Sequence, residues 1–345
     1  MTDPQAIVIH GARDLRIETR APEAPGPGQV SVAIRAGGIC GSDLHYYAHG
    51  GFGAVRLREP MILGHEVAGD IIALGAGVTG LAPGDVVAVS PSRPCGGCAQ
   101  CLAGRPNHCL HMRFYGSAMP MPHIQGAFRA QLLADAGQCH VLRHKGAEAG
   151  AFAEPLAVVL HGLKRAGDMM GGTVLVTGCG PIGALAILAL RRAGAGKIVA
   201  TDIAAGALAR ALDLGADEAI DTVSEPDRLP AYGANKGAFD AMFECSGAPS
   251  AVAAGLEVLR PGAVLVQLGL GGQASFPINL LVSKEIEMRG SFRFHHEFAH
   301  AVQMIDRGEI DPMALLTHRF GIADAAAAFE MALDRAQAMK VQIAF

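Results

Sequence analysis

The sequence predicts an α/β protein in two parts, a β-rich unit and a doubly wound parallel sheet. Three observations predict it. The first 150 or so residues set short apolar stretches between Gly/Pro turn signals. From about Gly172, continuous apolar strands alternate with helices, the pattern of a parallel sheet covered on both faces. The chain has 345 residues, 50% of them hydrophobic, which is enough for two cores.

In the first part, Gln29–Arg35, Glu66–Leu74 and Asp85–Val89 read as strands, punctuated by PGPG and APGD. In the second, Thr173–Thr177, Lys197–Asp202, Phe239–Glu244 and Ala263–Gln267 read as strands. Helices are expected over Pro181–Ala193, Ala205–Leu214 and Ser250–Leu259. Beyond Gly290 the alternation lapses, and helices are expected near Glu297–Arg307 and Ala323–Arg335. The division expected is residues 1–155 with 290–345 in one domain, and 156–289 in the other.

The formal charge of −4 excludes a general nucleic-acid binder, which needs a basic face to displace counterions. The longest apolar run, Ile182–Leu190, stops at Arg191 and Arg192, far short of the ~20 residues that span a bilayer. MTDPQA at the start has no basic region followed by an apolar stretch, so no export signal and a cytoplasmic location are expected.

Eight cysteines sharpen the reading. Cys95, Cys98, Cys101 and Cys109 crowd one segment, and Cys-x-x-Cys places two thiolates on one side of a tetrahedron. With all four positions filled by protein, the expected ion is a structural zinc. The seven-residue gap before Cys109, with no proline after it, argues against an iron–sulfur cluster. Disulfides are the plain alternative.

Gly178-Cys179-Gly180-Pro181-Ile182-Gly183 fits G-x-G-x-x-G between a strand and a helix, with Asp202 ending the next strand. The three glycines serve a tight turn, close approach of a pyrophosphate and helix–strand packing. Asp202 is expected to accept from both adenosine ribose hydroxyls and to repel a 2′-phosphate. Ile203, Ala204 and Ala205 bring no arginine, so NAD is expected over NADP.

Cys40, His65, Glu66 and Glu154 are donors that zinc accepts, but no spacing rule joins them. Each also has a plain reading: a small buried thiol, a bonded core histidine, a carboxylate at a helix start.

CGSDLHYY from Cys40, GHE at 64–66, the cysteine lobe, FAEP at 152–155 and GCGPIG at 178–183 resemble the zinc-dependent medium-chain dehydrogenases, specifically their polyol, sorbitol-dehydrogenase-like branch. Segments from Met112, Phe152 and Gly290 resemble an aldonate-oxidising member of that branch. The resemblance spans nearly the whole chain. It implies a GroES-like catalytic domain completed by the C-terminal segment, a Rossmann NAD-binding domain, and a homodimer or homotetramer. It implies two zinc ions per chain and a small polyol or aldonate substrate. Cys40 and His65 become zinc ligands, with Glu66 and Glu154 supplying the carboxylate side. Ser42 and His45 become a proton relay, and Leu268, Leu270 and Arg293 cofactor contacts. Tyr46, Arg113, Phe114 and Arg293 become substrate contacts, the arginines as partners for an aldonate carboxylate. Phe294, where sorbitol enzymes usually carry tyrosine, weakens a plain sorbitol assignment. A dinucleotide-sensing protein with a zinc-stabilised partner lobe is the non-enzymatic alternative, and it would hold one zinc rather than two.

Overall fold

The computed structural model describes residues 4–273 and 275–345. The chain folds as two compact units, Met1–Glu154 with Phe298–Phe345, and Pro155–Glu297. Residues 290–297, expected with the catalytic part, lie in the second unit. The reason is a strand: Glu287–Gly290 pairs in parallel with Leu259–Gln267, and the chain crosses over only after Glu297.

The first unit is built on a seven-stranded sheet. Its path runs Cys139–Leu142, Val86–Val89, Glu66–Leu74, Gln29–Gly38, Lys340–Ala344, Leu316–Gly321, and Gln131–Asp135 pairs with Gln29–Gly38 as well. Over Gln29–Arg35 apolar residues alternate with others, and Val30, Val32 and Ile34 on one face are buried. They join Phe128, Phe329 and Ile343 in one core. The C-terminal strand belongs to this sheet: Gln342 pairs with Gly38, and Gly38 pairs on its other side with Glu66. That register carries residues 300 positions apart in sequence into one neighbourhood.

The second unit holds a six-stranded, all-parallel sheet. Its order is Glu218–Asp221, Lys197–Asp202, Thr173–Thr177, Phe239–Glu244, Leu259–Gln267, Glu287–Gly290. The order reverses direction at Thr173–Thr177, so the crevice beyond the carboxyl ends of Thr173–Thr177 and Phe239–Glu244 is where an open α/β sheet binds its ligand. Helix Pro181–Arg192 follows the first of these strands and buries Leu185, Ile187 and Leu190. No described helix is long and apolar enough to cross a membrane.

Candidate metal centres and dinucleotide crevice

The four lobe cysteines come together. Cys98 precedes one helical turn, Ala99–Leu102, which contains Cys101, and the short 3-10 turn Pro106–His108 returns the chain to Cys109. All four sulfurs lie within 4.8 Å of one another. Cys98 Sγ is 3.5 Å from Cys101 Sγ and 3.9 Å from Cys109 Sγ. Thiolates at the ~2.3 Å of a zinc–sulfur bond stand about 3.8 Å apart at the corners of a tetrahedron, so the lobe has the dimensions of a zinc site. Backbone N–H groups of Cys95 and His111 donate to Cys109 Sγ at 3.2 and 3.3 Å. N–H groups of Cys101 and Leu110 lower the Cys98 thiol to about 6. These contacts favour thiolate, the form that binds metal.

The second cluster also assembles. Cys40 Sγ, a His65 ring nitrogen and a Glu66 carboxylate oxygen lie within 4.8 Å of one another, with His65 and Glu66 buried. Cys40 stands at the start of helix Gly41–His49, and His65 and Glu66 stand where Glu66–Leu74 begins. Gly64 joins them at φ 89°, and a Cβ there would meet the Phe128 ring at 2.1 Å, so only glycine fits. Glu154 lies outside this tight set but feels it. Burial raises its carboxyl to about 8, with His65 opposing and Glu66 and Cys40 adding. Burial, then the Glu66 charge, pushes the Cys40 thiol up to about 12. The Cys40 thiol and the Asp43, Glu66 and Glu154 carboxyls thus crowd one buried region, into which Lys340 brings an ammonium that forms an ion pair with Glu66. A divalent cation balances that set, and thiol, imidazole and carboxylate are its donors.

Two residues that the sequence reading missed organise the cluster. Asp43 is fully buried; its Oδ2 accepts from Cys40 N at 3.0 Å and its Oδ1 from Gly64 N at 3.1 Å. His65 Nδ1 lies 3.8 Å from the same Oδ1. One carboxylate therefore pins both ligand-bearing segments. Its signal was legible: an acid three residues past Cys40 is a helix-start pattern. Lys340 had no local signal, and only the register of the last strand places it.

Ser42 and His45 are three apart on the helix, hence on one face, the serine half-buried and the histidine exposed. The Phe114 ring lies 5.6 Å from that of His65. Arg113 goes elsewhere. Successive strand residues face opposite ways, so Arg113 is exposed on the far side of its ribbon, paired in register with Arg93. The structure does not bring it to the cluster. Tyr46 is 2% exposed in the core, its hydroxyl accepting from Ala118 N at 3.0 Å, which gives it a packing role.

In the second unit the glycines behave as the motif requires. Gly178 has φ 83°, a Cβ on Gly180 would meet nothing, and a Cβ on Gly183 would strike Gly178 O at 1.8 Å. Open space above Gly180, at the start of helix Pro181–Arg192, is the cradle a pyrophosphate fills. Pro181 occupies the first helical turn, where its missing N–H costs nothing, and Ile182 follows. Asp202 ends its strand beside this turn. It accepts from Cys179 N at 2.6 Å, Ile203 N at 2.7 Å and Ala204 N at 3.0 Å. These three backbone N–H groups take up much of the roughly four lone-pair sites of its carboxylate and hold it at the strand end.

Across the crevice, Glu244 was also missed. It is fully buried and accepts from Ser246 N at 2.8 Å, Gly247 N at 3.0 Å, Gln267 Nε2 at 2.5 Å and the Ser246 hydroxyl, all uncharged donors. It ties together the carboxyl ends of two neighbouring strands. Leu270 is exposed and, with Gly247, Phe276 and Met288, lines an open cavity of about 280 Å³. Leu268 packs over Gly162. Arg293 holds a left-handed φ of 55° and lies over the Phe292 ring at 4.9 Å. A non-glycine residue held there marks a functional position more often than chance.

Residues 26–144 match the alcohol dehydrogenase GroES-like domain and residues 181–307 the zinc-binding dehydrogenase domain. The chain is 41% identical over 343 residues to L-idonate 5-dehydrogenase (NAD(P)(+)) of Escherichia coli, covering 99% of this chain and 98% of the relative. It is 36% identical to sorbitol dehydrogenase of Gallus gallus, covering 98% and 95%. The crystal structure of the Escherichia coli L-idonate 5-dehydrogenase superposes with a TM-score of 0.94 at 40% identity, covering 99% and 98%. Galactitol-1-phosphate dehydrogenase from Escherichia coli gives 0.89 at 28%, covering 99% and 100%.

Proposed function

We propose, on the premise that the chain belongs to the zinc-binding alcohol dehydrogenase family, that it oxidises a secondary hydroxyl of a sugar acid with NAD. The specific reaction is L-idonate to 5-keto-D-gluconate. The observation that carries the chemistry is the buried Cys40–His65–Glu66 cluster. The full-length likeness to the L-idonate enzyme supports the substrate. Sorbitol, xylitol and arabitol are the alternative substrates of the same machinery.

When bound, zinc supplies Lewis acidity toward the reacting hydroxyl and the dinucleotide supplies a hydride acceptor. The chain does the rest. Cys40, His65 and the Glu66–Glu154 side hold the metal. Asp43 fixes the backbone at Cys40 and at Gly64, the residue before His65, and Lys340 offsets the Glu66 charge. Ser42 takes the proton of the reacting hydroxyl, and His45, nearly one turn on and exposed, delivers it to water. Cys95, Cys98, Cys101 and Cys109 hold a second, structural zinc. Gly178, Gly180 and Gly183 seat the pyrophosphate, and the Asp202 anion disfavours a 2′-phosphate, so NAD is preferred over NADP. Arg293 is the remaining candidate for the substrate carboxylate.

The protein works in the cytoplasm as a homodimer or homotetramer; exposed Ile278, Val282 and Met288 support self-association. Elemental analysis of purified protein should give two zinc ions per chain. Oxidation of aldonates and polyols with NAD and NADP should be fastest with L-idonate and NAD. One zinc per chain with dinucleotide binding but no oxidation of any alcohol would establish the sensor instead.

A further inference from the structure

One hydroxyl in the first unit is buried with nothing to bond. Ser92 is 8% exposed, and its Oγ has no hydrogen-bond partner among the described residues. Tyr115 Oη donates to Leu133 O at 3.1 Å, and Gln138 Nε2 donates to Ser90 O at 2.7 Å. Buried polar side chains in folded proteins are nearly always bonded, so the exception calls for an explanation.

Position supplies one. Ser92 pairs directly with Phe114 across an antiparallel ribbon. Opposed residues of such a pair send their side chains to the same face, with Cβ atoms about 4.5–5.5 Å apart. On that face the Phe114 ring lies against the His65 ring. The unbonded hydroxyl therefore shares a face with a ligand of the metal cluster, while Arg93 and Arg113 occupy the other.

We propose that Ser92 is a specificity-determining residue: its hydroxyl bonds a hydroxyl of the polyhydroxylated substrate near the carbinol that reacts. The inference rests on the dehydrogenase reading. A site built to bond a hydroxyl discriminates strongly against an analogue that lacks it, because its own polar group is then left unpaired. A bare secondary alcohol leaves Ser92 unsatisfied, and a polyol or aldonate does not.

The test uses zinc-loaded protein and Ser92→Ala, which removes one atom and leaves the packing intact. The substrates are L-idonate and a deoxy analogue missing one hydroxyl next to the reacting carbinol. Ser92→Ala should lower kcat/KM for L-idonate about tenfold relative to the matched deoxy analogue. Without substrate, the variant should melt at the same temperature as wild type or higher, because it sheds an unpaired buried group. A lower melting temperature would mean that the hydroxyl is bonded inside the fold, and would overturn the proposal. An equal fall with both substrates, or no fall with any deoxy isomer, would overturn it too. Wild-type protein that oxidises neither alcohol would instead remove the dehydrogenase reading, and this inference with it.

Discussion

Replacing Asp43 with asparagine tests how the metal cluster is held. Asp43 accepts from Cys40 N and Gly64 N at 3.0 and 3.1 Å from a fully buried position. Asparagine keeps one acceptor oxygen and turns an amide N–H₂ toward the other backbone N–H. One charge-assisted hydrogen bond is lost, about 2 kcal/mol. Alanine loses both and leaves two buried donors bare, about 3–6 kcal/mol. Part of that cost falls on metal binding, because Cys40 and His65 are no longer held in place. Groups that orient metal ligands typically carry 10–100-fold in affinity. Chelator competition on the purified protein, read by zinc release, should show Asp43→Asn losing one of its two zinc ions at about tenfold lower chelator than wild type. The cysteine-lobe zinc should stay at its wild-type threshold. Equal thresholds for both ions in variant and wild type would refute the reasoning.

Other outcomes follow from the same geometry. Cys98→Ser should lower zinc content from two ions to one and lower the melting temperature, since Cys98 Sγ contacts two of the other lobe sulfurs; a variant that keeps two zinc ions would remove Cys98 from the ligand set. Burial, then the charges of His49 and Arg335, holds the His45 ring below its ordinary value. His45 is therefore neutral and able to accept a proton at pH 7, and the acid limb of alcohol oxidation should lie below about pH 6.5. His45→Asn should slow turnover several-fold and erase that limb; an unchanged pH–rate profile would take His45 out of the relay. Arg113→Ala should leave the ratio of aldonate to polyol oxidation unchanged, because Arg113 faces away from the cluster, whereas Arg293→Ala should lower it about tenfold. The reverse pattern in kcat/KM would return the carboxylate to Arg113.

Much of this molecule could be read from its letters, for identifiable reasons. The parallel strands are continuous apolar runs, and Thr173–Thr177, Lys197–Asp202 and Phe239–Glu244 begin and end where the sequence indicates. The cysteine lobe is closed by contacts within 15 residues, so spacing alone describes it. Residues fixed by long-range register were not readable. Lys340 reaches Glu66 only because the last strand pairs with Gln29–Gly38. The facing of Arg113 could not be read because its strand is two residues long, too short for an alternation to be seen. Asp202 and Glu244 share one difficulty: a carboxylate at a strand end looks available for a ligand, yet both spend most of their capacity on local backbone N–H groups.

The position of Lys340 bears on how the protein is made. The thiol, imidazole and carboxylate of Cys40, His65 and Glu66 come from one short stretch of the chain, but the ammonium that balances them comes from Lys340, on a strand made far later. The pocket stays unbalanced until Lys340–Ala344 has been made and has paired with Gln29–Gly38. A chain that lacks this strand would leave a cluster of buried acids without its counter-charge.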